Sequence, residues 1–112
     1  MEALAERRLR RKAELERELE RILGILKTLP VEKVILFGSL ARGEVYEGSD
    51  LDLLIVMPSE KSFVDRAVEL AQILGPRLGV DLVVYTPEEF KRLQEEGRSF
   101  LLELLREGKV LL

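Results

Sequence analysis

The chain has 112 residues, 46% of them hydrophobic and 35% charged, with a mean hydropathy of +0.02; that is the size of one compact domain and too apolar for a disordered tail. It has no cysteine and no histidine, which excludes disulfides, thiol chemistry, histidine triads and ordinary zinc sites, and leaves carboxylates, hydroxyls, backbone amides, basic side chains and a hard metal ion. The formal charge of −3 divides unevenly: residues 1–28 carry eight Lys/Arg against six Glu, and the remainder ten against fifteen.

Residues 3–28 read as one long helix, with Leu15, Leu19, Ile22, Leu23 and Leu26 at helical spacing. Extended backward, the stripe meets Arg8 and Lys12 instead of leucine, so the first three turns are expected to be solvated. Their basic cluster, Arg7, Arg8, Arg10, Arg11 and Lys12, reads as a solvated face interleaved with Glu, or as a surface for RNA or a partner. Pro30 ends the helix. Lys33–Phe37 is a short apolar run closed by Gly38, a candidate buried strand. A brief turn or helix is expected at 39–43 and a polar loop at 44–49, then a second strand over Asp50–Met57 ending at Pro58. Helical spacing returns over 61–75, stopped by Gly75-Pro76. A third strand, Val80–Tyr85, runs into Thr86-Pro87-Glu88-Glu89, a capping threonine before proline at the first helical position. Helices at 87–95 and 98–107 follow, and Gly108 releases an apolar tail, Val110–Leu112. The order α-β-α-β-α-β-α-α indicates an α/β or α+β fold around a small sheet. No apolar run reaches the roughly 18 residues that cross a bilayer, and the first residues lack the apolar stretch of a signal peptide. A cytoplasmic protein without a membrane partner is expected.

The acids are lopsided: 17 Glu, four Asp, no Asn and two Gln. That usage fits a thermophilic source, and it makes each Asp informative. Asp50 and Asp52, two apart in a strand, share a face with their backbones roughly 6–7 Å apart, while Leu51, Leu53 and Ile55 face the other side and can bury. Carboxylates this close repel unless a cation or a proton intervenes. Asp81, at the start of another apolar strand, can bring a third to the cluster. Oxygen-only ligands suit Mg²⁺, and two-metal phosphoryl or nucleotidyl transfer uses such a set. Gly38-Ser39 adds a bare backbone that can approach phosphate and a hydroxyl. Arg42 can bind triphosphate or pair with Glu44 or Glu47. Ser49 reads as support for Asp50 more than as a nucleophile. Tyr46 is a loop aromatic that could stack on a base, Tyr85 belongs to core or rim, and Asp65 belongs to the surface. The six aromatics form no stacking platform for nucleic acid, which is not expected as a partner.

Gly38-Ser39, ten residues, then Asp50-x-Asp52 resembles the signature of the DNA polymerase beta nucleotidyltransferase superfamily, and the string GSLARGEVYEGSDLDLLIV is similar to its minimal nucleotidyltransferase branch. The resemblance covers residues 31–112 and weakens over the N-terminal helix. It implies a single nucleotidyltransferase domain over 1–112: a small mixed sheet packed by helices, with a catalytic core at 31–112 and the long helix at 1–28. It further implies that Gly38 and Ser39 contact phosphate and that Asp50, Asp52 and Asp81 bind Mg²⁺ or Mn²⁺ and catalyse, with Arg42 a candidate for the nucleotide. The substrate would be a nucleoside triphosphate, ATP first, and the acceptor a hydroxyl. Members of the branch are antitoxins of HEPN (higher eukaryotes and prokaryotes nucleotide-binding) proteins, in some cases adenylylating the toxin. The chain shows no large domain for holding an acceptor, which points to a protein partner of HEPN type. The alternatives are neutralisation by binding alone and transfer to a small molecule. A homo-oligomer is compatible with the sequence.

Overall fold

The computed structural model describes residues 3–112. Helix α1 (Leu4–Leu26) leads to strand β1 (Lys33–Phe37), the short helix α2 (Gly38–Arg42) and strand β2 (Leu51–Val56). Helix α3 (Phe63–Leu74) crosses to strand β3 (Val80–Tyr85), and α4 (Pro87–Glu95), α5 (Ser99–Glu107) and β4 (Lys109–Val110) complete the chain. The expected elements are all present, with ends displaced by a residue or two. The exception is the apolar tail. Lys109 and Val110 pair with β1 as an edge strand, and Leu111 donates its amide to the Val34 carbonyl at 2.8 Å. Val110 therefore belongs to the sheet, and Leu111 and Leu112 are tied to its edge through Val34.

Local chemistry sets several boundaries. Ser62 caps α3 by accepting the Asp65 amide at 3.2 Å, and Gly75, at φ +51°, closes it. Thr86 and Glu89 form a reciprocal capping box behind Pro87 at the start of α4. The four strands form one mixed sheet in the order β3-β2-β1-β4. β2 runs antiparallel to β1, from Lys33↔Val56 to Phe37↔Asp52, and parallel to β3, from Leu51↔Val80 to Val56↔Tyr85. The parallel pair needs a crossover, which α3 provides.

Helices cover both faces. Leu51, Leu53 and Ile55 pack with Leu15, Ile22 and Leu26 of α1 and with Leu70 and Leu74 of α3. Ile35, Leu54 and Val56 pack on the other face with Phe90 of α4 and with Leu101 and Leu104 of α5. Two-sided burial is why β2 reads as a continuous apolar run. No described helix is long and apolar enough to cross a membrane.

Two polar networks pin the crossover. Glu18, buried on α1, accepts from Arg21 at 2.7 and 3.0 Å and from the amide of Arg77, while Arg21 also donates to the carbonyls of Leu74 and Gly75 at the end of α3. At the other end Arg66, 9% exposed, donates to the carbonyls of Lys61 and Val84 and to Glu89. The hydrogen bond from Arg21 outweighs desolvation and, with the Arg77 amide, pushes the Glu18 carboxyl down to about 2. A depressed carboxyl stabilises the fold above its unfolded value of 4.5 and loses that contribution as pH falls toward 2. Glu18→Gln should cost about 3 kcal/mol at pH 7. In paired thermal melts the gap from wild type should close as the pH drops through that window.

Candidate active site

The site is built where β1 ends and β2 begins. After Phe37 the chain turns at Gly38 with φ +75°, a conformation that disfavours any side chain. A Cβ there would also lie 1.9 Å from Asp52 Oδ2, so glycine alone lets the carboxylate rest on the backbone. Ser39 opens α2 and donates its hydroxyl to Ser49 Oγ at 2.9 Å, which also accepts the Tyr46 amide at 2.9 Å. Ser49 is 1% exposed, and these bonds fold loop 44–50 back onto α2. Asp50 stands before β2, Asp52 is its second residue, and the parallel register sets Asp52 opposite Asp81. Gly79 matters for the same reason as Gly38: a Cβ on it would lie 2.3 Å from Asp50 Oδ1.

The structure brings all six candidates together. Gly38, Ser39, Arg42, Asp50, Asp52 and Asp81 line one cavity of about 190 Å³, completed by Tyr46, Gly48 and Ser49. Burial first, then the hydrogen bond with Asp81 and the charges of Asp81 and Asp50, push the Asp52 carboxyl up to about 6, with Arg42 pulling the other way. The donors are oxygens, as a hard divalent cation requires, and the bare backbones at Gly38 and Gly79 give the carboxylates room. The carboxylates are not closed into a finished cage: among the described residues no group of three acidic side chains is so arranged. Asp50 instead faces a protein cation, its Oδ1 lying 3.6 Å from Arg11 Nη2.

That contact narrows the expectation that the first turns of α1 are solvated, which holds for most of residues 3–12. Leu4 and Leu9 are exposed, but Arg11 donates to the Ser49 carbonyl at 2.8 Å and Arg7 pairs with Glu47. The basic face of α1 therefore clasps the loop that carries Asp50. Of the two roles considered for Arg42, the structure shows pairing, with Glu44 at 3.1 Å and Glu107 at 3.9 Å, while its side chain also lines the cavity. Tyr46 lies over Gly48, whose Cβ would be 3.1 Å from the ring. Asp65 is exposed, as expected. Gly79 has no signal in the sequence, and Arg11 stands out there only as one of the basic cluster, with no link to the site. The spacing of Arg11 from Leu15, one turn away, was the available signal that it lies on the docked side of α1.

An Asp pair at the start of β2, a third Asp on the parallel neighbour and a glycine-serine turn beside them make a set suited to phosphorylated substrates. The chain belongs to the nucleotidyltransferase family: the family model "Nucleotidyltransferase domain" matches residues 19–96. Its relatives include two proteins of Methanocaldococcus jannaschii. "Putative protein adenylyltransferase MJ0604" is 37% identical over 72% of this chain and 78% of its own. "Putative protein adenylyltransferase MJ1379" is 33% identical over 75% of this chain and 92% of its own. Among solved structures, that of a "putative nucleotidyltransferase" from Sulfolobus solfataricus superposes with a TM-score of 0.60 at 27% identity, covering 77% of this chain and 79% of that one. The fold and the nucleotidyl-transfer class expected from the sequence are thus established.

Two outcomes follow from the electrostatics. A carboxyl raised to about 6 from 3.8 destabilises the fold above pH 6, and this penalty fades as pH falls toward 4. In chelator, Asp52→Asn should therefore melt higher than wild type at pH 7.5 and lose that advantage near pH 4. Arg11→Ala should cost about 1–2 kcal/mol and speed amide hydrogen exchange over residues 46–50. Arg11→Lys should recover only part of this, because an ammonium lacks the planar fork.

Proposed function

We propose that the protein is a metal-dependent protein adenylyltransferase that moves AMP from ATP to a hydroxyl of a partner protein, with residues 1–112 acting as one domain. The observation that carries the reading is the gathering of Asp50, Asp52 and Asp81 in one cavity with Gly38-Ser39. The names of the relatives support the choice of adenylyl group and protein acceptor. Asp50, Asp52 and Asp81 would hold a divalent cation, Mg²⁺ or Mn²⁺, which when bound screens phosphate charge and activates the acceptor oxygen. Arg42 and the bare backbone at Gly38 hold the triphosphate, and the Ser39 hydroxyl joins them by exchanging its hydrogen bond to Ser49 for one to phosphate. The acceptor oxygen bonds to the α-phosphorus, the bond between α- and β-phosphates breaks, and pyrophosphate leaves. Asp81 is exposed on the edge strand β3, the side from which an acceptor can approach, and it receives the acceptor's proton. A HEPN-type ribonuclease is the partner we propose, with the protein as its antitoxin.

A second reading, neutralisation by binding alone, draws on Asp50 being engaged by Arg11 instead of sitting in a finished metal cage. The two separate cleanly. Mg²⁺ with ATP at about 100 times the dissociation constant should stabilise wild type by roughly 2.7 kcal/mol, and Asp50→Asn or Asp52→Asn should abolish the gain. With the partner, metal and labelled ATP, wild type should add the mass of AMP to the partner, whereas Asp52→Asn should bind it and add none. If wild type adds no mass and both forms neutralise the partner equally, binding alone is the function.

A further inference from the structure

Next to the carboxylate cavity lies a larger one, of about 310 Å³, walled by Phe37, Phe100 and Leu104 and rimmed by Glu103 and Glu107. Gly38 and Arg42 line both, so the two are neighbours across one turn of backbone and one guanidinium. The larger cleft reaches the lower end of the size range of small-molecule sites and has their chemistry, apolar walls with a few polar groups. Its most exposed wall is aromatic. Phe100 is 56% exposed, held edge-on against Phe37 with ring centroids 6.4 Å apart and planes at 88°. A phenyl ring fixed by another ring, with much of its surface in water, offers a flat platform at little entropic cost.

We propose that this cleft takes the adenine ring of ATP while the triphosphate lies in the carboxylate cavity; the inference rests on the nucleotide-transfer reading above. Three features of the cleft select that occupant. Its walls are apolar and aromatic, as a stacked base requires. Its rim is carboxylate, which accepts hydrogen bonds, and the exocyclic N6 amino group of adenine donates them. It abuts the phosphate-facing groups through Arg42, whose pairing with Glu107 at 3.9 Å links the rim of the base cleft to the neighbouring cavity. Tyr46, the other aromatic nearby, is already spread over Gly48 in its own loop. Helix α5, which supplies Phe100 and Glu103, lies beyond residues 19–96, where the family model matches, while Phe37, Gly38 and Arg42 lie within them.

Calorimetric titration of the full chain with Mg²⁺ plus ATP, GTP or inorganic tripolyphosphate tests the proposal, because tripolyphosphate carries the anion without a base. Wild type should bind ATP roughly tenfold more tightly than tripolyphosphate. Phe100→Ala should bring ATP down to the tripolyphosphate level and leave tripolyphosphate itself unchanged. Phe100→Leu, which keeps apolar bulk but has no ring face, should behave in the same way, with its melting temperature showing that the fold is intact. Glu103→Gln should weaken ATP and GTP alike, since both bases carry amino donors, and leave tripolyphosphate unchanged. Equal binding of ATP and tripolyphosphate by wild type overturns the proposal and leaves the nucleotide-transfer reading standing. So does an ATP advantage that survives both Phe100 substitutions, or one that only Tyr46→Ala removes. So does a Phe100→Ala variant that binds ATP normally but loses the partner protein, which would make the cleft a docking site for a partner's side chain. If neither ATP nor tripolyphosphate binds, the nucleotide-transfer reading fails and the base site falls with it.

Discussion

Asp52 faces Asp81 across a parallel strand pair, and this juxtaposition of like charges sets the terms for the structure around it. Neighbouring strands lie about 4.8 Å apart, and two unit charges near that distance repel by roughly 3–4 kcal/mol at an effective dielectric constant of 20. Burial first, and then the hydrogen bond and repulsion from Asp81, push the Asp52 carboxyl up to about 6. Directly along the same strand, Leu51, Leu53, Leu54 and Ile55 are all fully buried, each contributing about 1.5–3 kcal/mol. The core under the site therefore outweighs the charge cluster at its end. β2 can carry an unfavourable pair because helices cover it on both faces.

Compensation comes from two directions. Arg42 enters from α2, beside the turn that brings Gly38 against Asp52, and Arg11 enters from α1, beside Asp50. α1 thus has two roles divided along its length. Its second half supplies Ile22 and Leu26 to the core, and its first half supplies Arg7 and Arg11 to loop 44–50. The excess positive charge of residues 1–28 over an acidic remainder has a structural address in that loop. The loop itself is closed by Ser39 and Ser49, hydroxyl to hydroxyl, which couples the two halves of the motif, ten residues apart, into one unit.

What was readable in the sequence was what is local. Period-two alternation placed Asp50 and Asp52 on one face, and a glycine after an apolar run marked the turn at residue 38. The capping residues at 86–89 fixed the start of α4. The features that escaped are set by tertiary contact. Arg11 is 38 residues from the carbonyl it binds, and along its own helix it reads as one more charge among many. Gly79 looks like an ordinary pre-strand glycine until the parallel register places Asp50 against it. β4 has only two paired residues, Lys109 and Val110, too few for any alternation to register, and its strand character comes from the edge of β1 that it covers. The wall of aromatic side chains beside the site joins the end of β1 to α5, and no spacing rule connects Phe37 with Phe100.

The register of β3 is the remaining determinant, since slipping it by one residue would turn Asp81 to the opposite face of the sheet. Apolar pattern alone defines this register weakly: Val80, Leu82 and Val83 are only partly buried, and Val84 is the one fully buried side chain of the strand. The polar networks at the two ends of the crossover supply what the pattern lacks. Glu18 and Arg21 fasten the exit of α3 through the Arg77 amide and the carbonyls of Leu74 and Gly75. Arg66 fastens the far end of β3 through the Val84 carbonyl and Glu89 of the capping box. Each contact is directional and all but the Arg66–Glu89 pair name a particular backbone atom, so a shifted strand would leave a buried guanidinium or carboxylate without its partner, at about 3–5 kcal/mol for each pair broken. Directional bonds at both ends of the crossover hold β3 at the one register in which Asp81 meets Asp52.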